Sequence, residues 1–151
     1  DGMVYVTEGI LQAEIAWMCT GNPYIGVPGV SNHKGLETVL RKLKEQGLKR
    51  VYECYDMDKM MELSCKHDEK SACRQCEHGI HLYHGECPKK RRKRDMIRKG
   101  CIKLYEICEE LNVSCKRVTW DTDASGIWME HYKGVDDWIL RKEEKGNCKT
   151  A

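Results

Sequence analysis

The sequence predicts an α/β domain built on a parallel sheet of about four strands, flanked by helices and interrupted by a cysteine-rich insert. Short apolar segments of strand length alternate with helical segments along most of the 151 residues, and such alternation is typical of a parallel sheet covered on both faces. The alternation stops once, at residues 60–94, where Cys, His and Lys are concentrated. We expect residues 1–151 to form one domain cut from a longer protein, because Asp1-Gly2-Met3 leads directly into a strand.

Four apolar segments are predicted as strands, each bounded by glycine, proline or polar residues. They are Met3–Val6, Tyr24–Val27, Val51–Tyr55 and Val113–Trp120. The third, VYECY, is a nearly continuous apolar run that stops at Asp56-Met57-Asp58. Runs of this kind are typical of buried strands in parallel sheets.

Four helices are predicted between and after these strands. Residues 10–20 form the first, which Gly21-Asn22-Pro23 ends. The second has apolar residues at helical spacing from Leu36 to Leu43 and ends at Gly47. The third is an amphipathic helix from Ile97 to Leu111, and Val135–Lys142 closes the domain.

Acidic side chains follow the first and third predicted strands. Glu8 ends the first strand, and Asp56 and Asp58 end the third. The carboxyl ends of parallel strands share one edge of the sheet, where ligands bind, and two carboxylates spaced i, i+2 can reach one hard cation such as Mg²⁺. Surface acids after a strand need no function, but the convergence of Glu8 with the aspartates favours a metal site. Asp136 and Asp137 either add two acids near this edge or occupy the first turn of a helix, where Asp is favoured.

The insert carries four cysteines with the spacing of metal ligands: Cys65, Cys73, Cys76 and Cys87. Four thiolates with no open position describe a structural zinc site. A segment of this size cannot bury a core of its own, so Zn²⁺ would supply the missing stability. A histidine in place of one cysteine, most naturally Cys65, and a loop with free thiols are the alternatives.

The remaining cysteines and the overall composition favour a reducing, cytoplasmic setting. Single cysteines lie in predicted strands and helices and are expected to be small buried apolar residues: Cys19, Cys54, Cys101, Cys108 and Cys115. The net charge is only +2, and no apolar run is long enough to span a membrane. We therefore expect a soluble domain without a membrane partner.

A run of six cations follows Cys87: Lys89, Lys90, Arg91, Arg92, Lys93 and Arg94. A zinc-bound insert bearing such a run suits contact with the phosphate backbone of nucleic acid, which supplies affinity without reading sequence. The alternative is a solvated face at the start of the next helix.

Three stretches resemble the Toprim domain of bacterial-type primases, type IA and type II topoisomerases, old-family nucleases and recombination-repair proteins. They are Thr7-Glu8-Gly9, Asp56-Met57-Asp58 and the late segment YKGVDDW. The resemblance is closest to Toprim-like domains of uncharacterised function in phage and mobile-element replication proteins. Those domains carry V-x-x-T-E-G-x-x-K-A-D near the start and K-G-[IV]-D-D near the end, where this chain has VYVTEGILQAE and YKGVDDW. The resemblance covers nearly the whole chain outside the insert.

This resemblance implies a Toprim fold and metal-dependent phosphoryl transfer on DNA or RNA. Glu8 would be the general acid/base or a metal ligand, and Asp56 and Asp58 would hold Mg²⁺ or Mn²⁺. Asp136 and Asp137 resemble the late acidic pair of primase domains, which is associated with a further metal. Metals held by carboxylates neutralise the phosphate and align the nucleophile, as phosphoryl transfer requires.

The chain departs from these patterns at two positions. Gln12 stands where primases have Asp and where the mobile-element domains favour Lys, and Glu14 stands where the latter have Asp. Two functions therefore remain open: a metal-dependent enzyme of primase or nuclease type within a replication protein, or a catalytically silent domain that binds nucleic acid through the insert and the basic run. A phosphatase with an aspartyl nucleophile is disfavoured, because its D-x-D normally follows the first strand and continues with Thr or Val, whereas Lys59 follows here.

Overall fold

The structure, a computed structural model, describes residues 2–64 and 86–147. The strands are β1 (Met3–Glu8), β2 (Tyr24–Val27), β3 (Arg50–Cys54) and β4 (Ser114–Arg117). The helices are α1 (Ile10–Thr20), α2 (His33–Glu45), α3 (Pro88–Glu110) and α4 (Val135–Asn147), and a 3₁₀ turn spans Met57–Met60. The predicted α/β architecture with a four-stranded parallel sheet is confirmed for the described residues.

The strand order is β2-β1-β3-β4, so β1 and β3 lie side by side in the middle of the sheet. Thr7 of β1 pairs with Cys54 of β3, and Glu8 pairs with Val27 of β2. Glu8 and the turn after β3 therefore emerge next to each other at the carboxyl edge of the sheet.

Each face of the sheet has its own apolar cluster. Leu36 and Leu40 of α2 pack with Ile97 and Leu104 of α3 on one face. On the other face, Ala16 of α1 packs with residues that include Val135 at the start of α4. This two-sided coverage explains why β3 is apolar at positions that point in both directions.

Helix α3 begins at Pro88, so the aperiodic stretch 60–94 overlaps the start of this helix. Lys89–Arg94 form the first turns of this helix and do not belong to a loop. Proline is favoured at the first helical position, and Lys and Arg are good helix formers. The spacing of apolar residues could not indicate that the helix begins at Pro88, because the first buried apolar residue of α3 is Ile97.

Strand β4 is also shorter than predicted and ends at Arg117. Its last paired residue, Arg117, lies opposite Glu53, close to the end of β3, so β3 offers almost no further residues with which β4 could pair.

Cys54, Cys101 and Cys108 are buried as expected. Cys19 and Cys115 were expected to be buried but are only half-buried.

The two ends of the insert meet at one place on the domain. The backbone N–H of Cys87 donates to the carbonyl of Leu63 at 2.8 Å, and Ser64 forms an antiparallel bridge with Glu86. Three of the predicted zinc ligands, Cys65, Cys73 and Cys76, lie outside the described residues, and zinc binding remains a prediction. None of the described helices is long and apolar enough to cross a lipid bilayer.

Candidate metal centre

Glu8, Asp56 and Asp58 lie together at the carboxyl edge of the sheet, as the parallel topology required. Glu8 is the last residue of β1, and the aspartates belong to the turn that follows the neighbouring strand β3. Asp56 and Asp58 are 3% and 1% exposed. Carboxylates are almost never buried to this degree unless a cation or hydrogen-bond donors accompany them.

Two lysines from distant parts of the chain contact these aspartates. Lys133, just before α4, places Nζ 2.9 Å from Asp56 Oδ2 and 3.3 Å from Asp58 Oδ2. Lys93, in the second turn of α3, places Nζ 3.1 Å from Asp58 Oδ2. Both lysine side chains are 49% exposed, so each ammonium can turn toward solvent or toward a bound anion. Burial alone would lower the pKa of Lys133, but its ion pairs with the negatively charged Asp56 and Asp58 raise it overall.

Gln12 connects the first helix to the aspartate pair. Its Nε2 donates to Asp56 Oδ1 at 3.3 Å, and its Oε1 accepts a hydrogen bond from the buried Thr7 hydroxyl at 2.9 Å. Gln12 is therefore a neutral amide that orients Asp56. This amide adds no negative charge to the cluster.

Asp136 and Asp137, the late acidic pair, lie in different surroundings. Asp136 is half-buried and close enough to Asp56 for that charge to act on it, whereas Asp137 is exposed beside Tyr132 and Arg141. The pKa of Asp136 is raised, first by burial and then by the charges of Asp137 and Asp56, while backbone N–H groups at the start of α4 oppose the shift. Asp136 thus joins the site and also interacts with the first turn of α4, and Asp137 does not lie in the site.

The glycine before α4 allows this close approach. A Cβ at Gly134 would collide with Asp136 Oδ1 and would lie 3.0 Å from Gln12 Nε2. The backbone N–H of Met57 also donates to the carbonyl of Lys133 at 3.0 Å. The segment before α4 is therefore joined directly to the turn that carries the aspartates.

Glu8 has a perturbed carboxyl group. Its pKa is raised by burial and by the negative charges of Asp56 and Asp58, against which Lys133 and Lys93 act. Within the described part of the chain, Glu8 Oε2 is buried without a hydrogen-bond donor. Such a carboxyl group suits proton transfer or metal ligation, because a bound cation would remove the cost of ionising it.

Buried carboxylate oxygens without an aligned donor converge at this edge. Among the described residues they are Glu8 Oε2, Asp58 Oδ2 and Asp136 Oδ1. Asp58 Oδ2 has two ammonium groups at ion-pair distance, but neither is aligned as a hydrogen bond. Glu8, Asp56, Asp58 and Asp136 together carry more negative charge than the two lysines can neutralise, so the site favours an additional cation.

The donor set fits a hard divalent cation that keeps part of its hydration shell. No three or more His, Cys, Asp or Glu side chains within residues 2–64 and 86–147 are placed so that they could hold a metal by themselves. Mg²⁺ usually retains several waters and takes one or two carboxylates together with substrate phosphates. Asp56 and Asp58 supply that number, provided that Lys93 and Lys133 move aside.

Sequence reasoning missed a buried ionic network behind these aspartates. Glu53, near the end of β3, and Lys59, directly after Asp58, are both fully buried and form an ion pair with 2.6 Å between Lys59 Nζ and Glu53 Oε1. A glutamate inside an apolar strand was the available signal, because a buried carboxylate needs a partner. Nothing in the local pattern identifies that partner as Lys59.

The cluster as a whole can bind a divalent cation at its carboxylates and an anion at its lysines. Comparisons with protein-family models, curated proteins and solved structures found no match for this chain. The chemistry of the site is therefore inferred from its own side chains.

Proposed function

We propose that this chain is a Toprim-type, metal-dependent module for phosphoryl transfer on nucleic acid, of primase or nuclease type. The observation that supports this most directly is the group of buried carboxylates at one sheet edge, with oxygens that lack aligned donors among the described residues. A buried carboxylate oxygen without a hydrogen-bond donor is costly. The group is therefore best explained as a binding site for a cation.

In this proposal Asp56 and Asp58 hold Mg²⁺ or Mn²⁺, and Asp136 stands near enough to contribute through a water molecule. The metal would supply charge neutralisation of the phosphate when bound. Glu8 is the proton-transferring group, because its raised pKa brings it closer to neutrality than an ordinary glutamate. Asp137 has no role in the site.

Lys93 and Lys133 are the proposed phosphate contacts. Without a metal they neutralise Asp56 and Asp58. A divalent cation at the aspartates would repel both ammonium groups and free them to bind phosphate oxygens. Lys93 also belongs to the basic run of α3, so the run would guide the substrate backbone to the aspartates.

The alternative is a catalytically silent domain that binds nucleic acid, a function that two contacts favour. Lys133 bridges Asp56 and Asp58, where a metal would otherwise lie, and Gln12 replaces an acid that primases carry. In that case the lysines would be permanent structural partners of the aspartates. The insert and the basic run would alone supply the binding function.

Mn²⁺ binding and DNA cleavage by the purified chain test the main proposal. We expect saturable Mn²⁺ binding by electron paramagnetic resonance, and metal-dependent cutting of end-labelled single- or double-stranded DNA. Metal binding without cutting would indicate a primase-type part that needs other domains of its replication protein. Absence of Mn²⁺ binding would overturn the metal-dependent function and leave the silent binding domain.

The basic run provides a prediction about nucleic-acid affinity. Arg91, Lys93 and Arg94 form ion pairs with Glu86, Asp58 and Asp95. Lys89, Lys90 and Arg92 form no ion pair with another described residue. Changing these last three to Gln should weaken DNA binding and reduce the slope of log affinity against log salt by about 1 for each phosphate that the variant no longer neutralises.

The matched control for this change removes three exposed cations elsewhere. Lys34, Lys42 and Lys49 are exposed on α2 and just before β3, and changing them to Gln alters the net charge equally. Fluorescence anisotropy over a salt series should show a smaller slope for the α3 variant only. Equal slopes for the two variants would mean that overall charge, and not the α3 run, governs binding.

Structural Zn²⁺ on Cys65, Cys73, Cys76 and Cys87 remains part of the proposal. Cys87 lies directly before α3, and its backbone is bonded to the chain at Leu63. A metal-bound insert would thus begin and end at one point, beside the basic run.

A further inference from the structure

Lys59 is a buried cation directly beside the candidate metal ligands. It follows Asp58 in the 3₁₀ turn, and its side chain is 0% exposed. Its Nζ donates to Glu53 Oε1 at 2.6 Å, to the carbonyl of Tyr55 at 2.8 Å and to the carbonyl of Val118 at 3.0 Å. An ammonium group has three donors, so every donor of Lys59 has an acceptor.

Both carboxylate oxygens of Glu53 likewise accept hydrogen bonds. Its Oε1 also accepts the backbone N–H of Tyr55 at 2.9 Å. Its Oε2 accepts the hydroxyl of Tyr105 at 2.7 Å and Nε of Arg117 at 3.0 Å. The pair therefore connects β3 with α3, with the end of β4 and with the turn that carries the aspartates.

Stability alone does not explain such a pair. Two buried charges lose their hydration, and an apolar pair of similar volume often stabilises a fold as well or better. An apolar pair cannot bind the carbonyls of Tyr55 and Val118, however. The distinctive contribution of Lys59 is therefore to tie the turn that carries Asp56 and Asp58 to the end of β3 at Tyr55 and to the chain just after β4 at Val118.

The remaining contacts of the turn point to the same role. The N–H of Lys59 donates to the carbonyl of Asp56, and the N–H of Met61 donates to that of Asp58, each at 3.2 Å. Arg98 Nε donates to the carbonyl of Lys59 at 2.9 Å. These hydrogen bonds do not involve the side chains of Lys93 or Lys133, and the N–H of Met57 adds a further backbone contact by donating to the carbonyl of Lys133 at 3.0 Å.

We propose that Lys59 is a positioning residue: its ammonium, locked onto Glu53, fixes the turn so that Asp56 and Asp58 present their carboxylates together to a divalent cation. This inference rests on the proposed metal-binding function. A metal site must hold its ligands to within a fraction of an ångström. Without the ion pair between Lys59 and Glu53, we expect the two carboxylates to move apart when Lys93 and Lys133 leave them. Lys59 itself touches neither metal nor substrate.

The test compares Mn²⁺ affinity with folding stability. Lys59→Met keeps an unbranched side chain that is one atom shorter, and removes its charge and its donors. We expect its Mn²⁺ dissociation constant to rise at least about tenfold, the usual effect of removing a group that orients metal ligands. Leu40→Ala serves as the control, because Leu40 is buried in the core on α2, a helix that contributes no residue to the site. It should lower stability and leave Mn²⁺ affinity unchanged.

A paired variant separates positioning from simple stabilisation. Lys59→Met combined with Glu53→Gln removes both buried charges and should be more stable than Lys59→Met alone, yet it should still bind Mn²⁺ weakly. Recovery of wild-type affinity along with stability would overturn the proposal, as would wild-type affinity in folded Lys59→Met. Failure of both variants to fold would also overturn it, because the pair would then be needed for the fold and not for the site. If the unmodified chain binds no Mn²⁺, the proposed function itself fails, which is a distinguishable result.

Discussion

Asp58→Asn is expected to lower Mn²⁺ affinity and any metal-dependent activity by at least about 100-fold, since even groups that only orient metal ligands contribute 10- to 100-fold. Asp58 is 1% exposed and lies next to Lys93 and Lys133. The substitution keeps the size of the side chain and removes its charge, so the cation loses one of its two carboxylates. Lys133 retains Asp56 as a partner, and Lys93 is half-exposed, so the fold should persist.

Asp137→Asn is the matched control, because this aspartate is exposed and lies outside the cluster. Mn²⁺ titration, DNA cleavage and near-ultraviolet circular dichroism would be measured for both variants. We expect loss of metal binding only in Asp58→Asn. Unfolding of Asp58→Asn would instead mean that the carboxylate holds the fold together through its lysine contacts, and unchanged Mn²⁺ binding would remove Asp58 from the site.

Glu8→Gln is expected to abolish activity and yet raise the unfolding temperature of the metal-free protein at pH 7. The pKa of Glu8 is raised in the folded state by burial and by Asp56 and Asp58. The neutral amide removes the repulsion between an ionised Glu8 and these aspartates. Function and stability should therefore change in opposite directions, as is common at binding sites.

The pH dependence follows from the direction of this shift. Because the folded state holds the Glu8 proton more tightly than the unfolded state, this group favours folding below its ordinary pKa of 4.5. That contribution is lost as the pH rises through the raised folded value. The stability gain of Glu8→Gln should accordingly be present at pH 7 and should disappear below about pH 4, where the carboxyl group is neutral in both states.

Thermal unfolding from about pH 3 to pH 8, in the presence of a chelator, measures this difference. Glu14→Gln is the control, because Glu14 is exposed on α1 and lies outside the cluster. It should change the unfolding temperature little at any pH. A Glu8→Gln protein that is less stable than the wild type at pH 7 would show that the carboxylate is a favourable structural partner and not a strained functional group.

Local patterns in the sequence were enough to predict the parallel α/β architecture and the convergence of Glu8 with Asp56 and Asp58. Strand length and helical spacing indicate the order of the elements, and parallel strands end at the same edge of a sheet. The zinc ligands remain a sequence prediction, since three of them lie outside the described residues.

The other side chains that meet at the site could be identified only from the fold. Lys93 comes from a run that the sequence assigned either to nucleic acid or to a solvated helix face, and Lys133 was part of a motif without a role of its own. Asp136 and Asp137 are neighbours in sequence, but successive residues of a helix point in different directions, so one joins the cluster and the other does not. Lys59 reaches Glu53 because the chain folds back after β3, and such contacts depend on how elements cross in space, which no local spacing records.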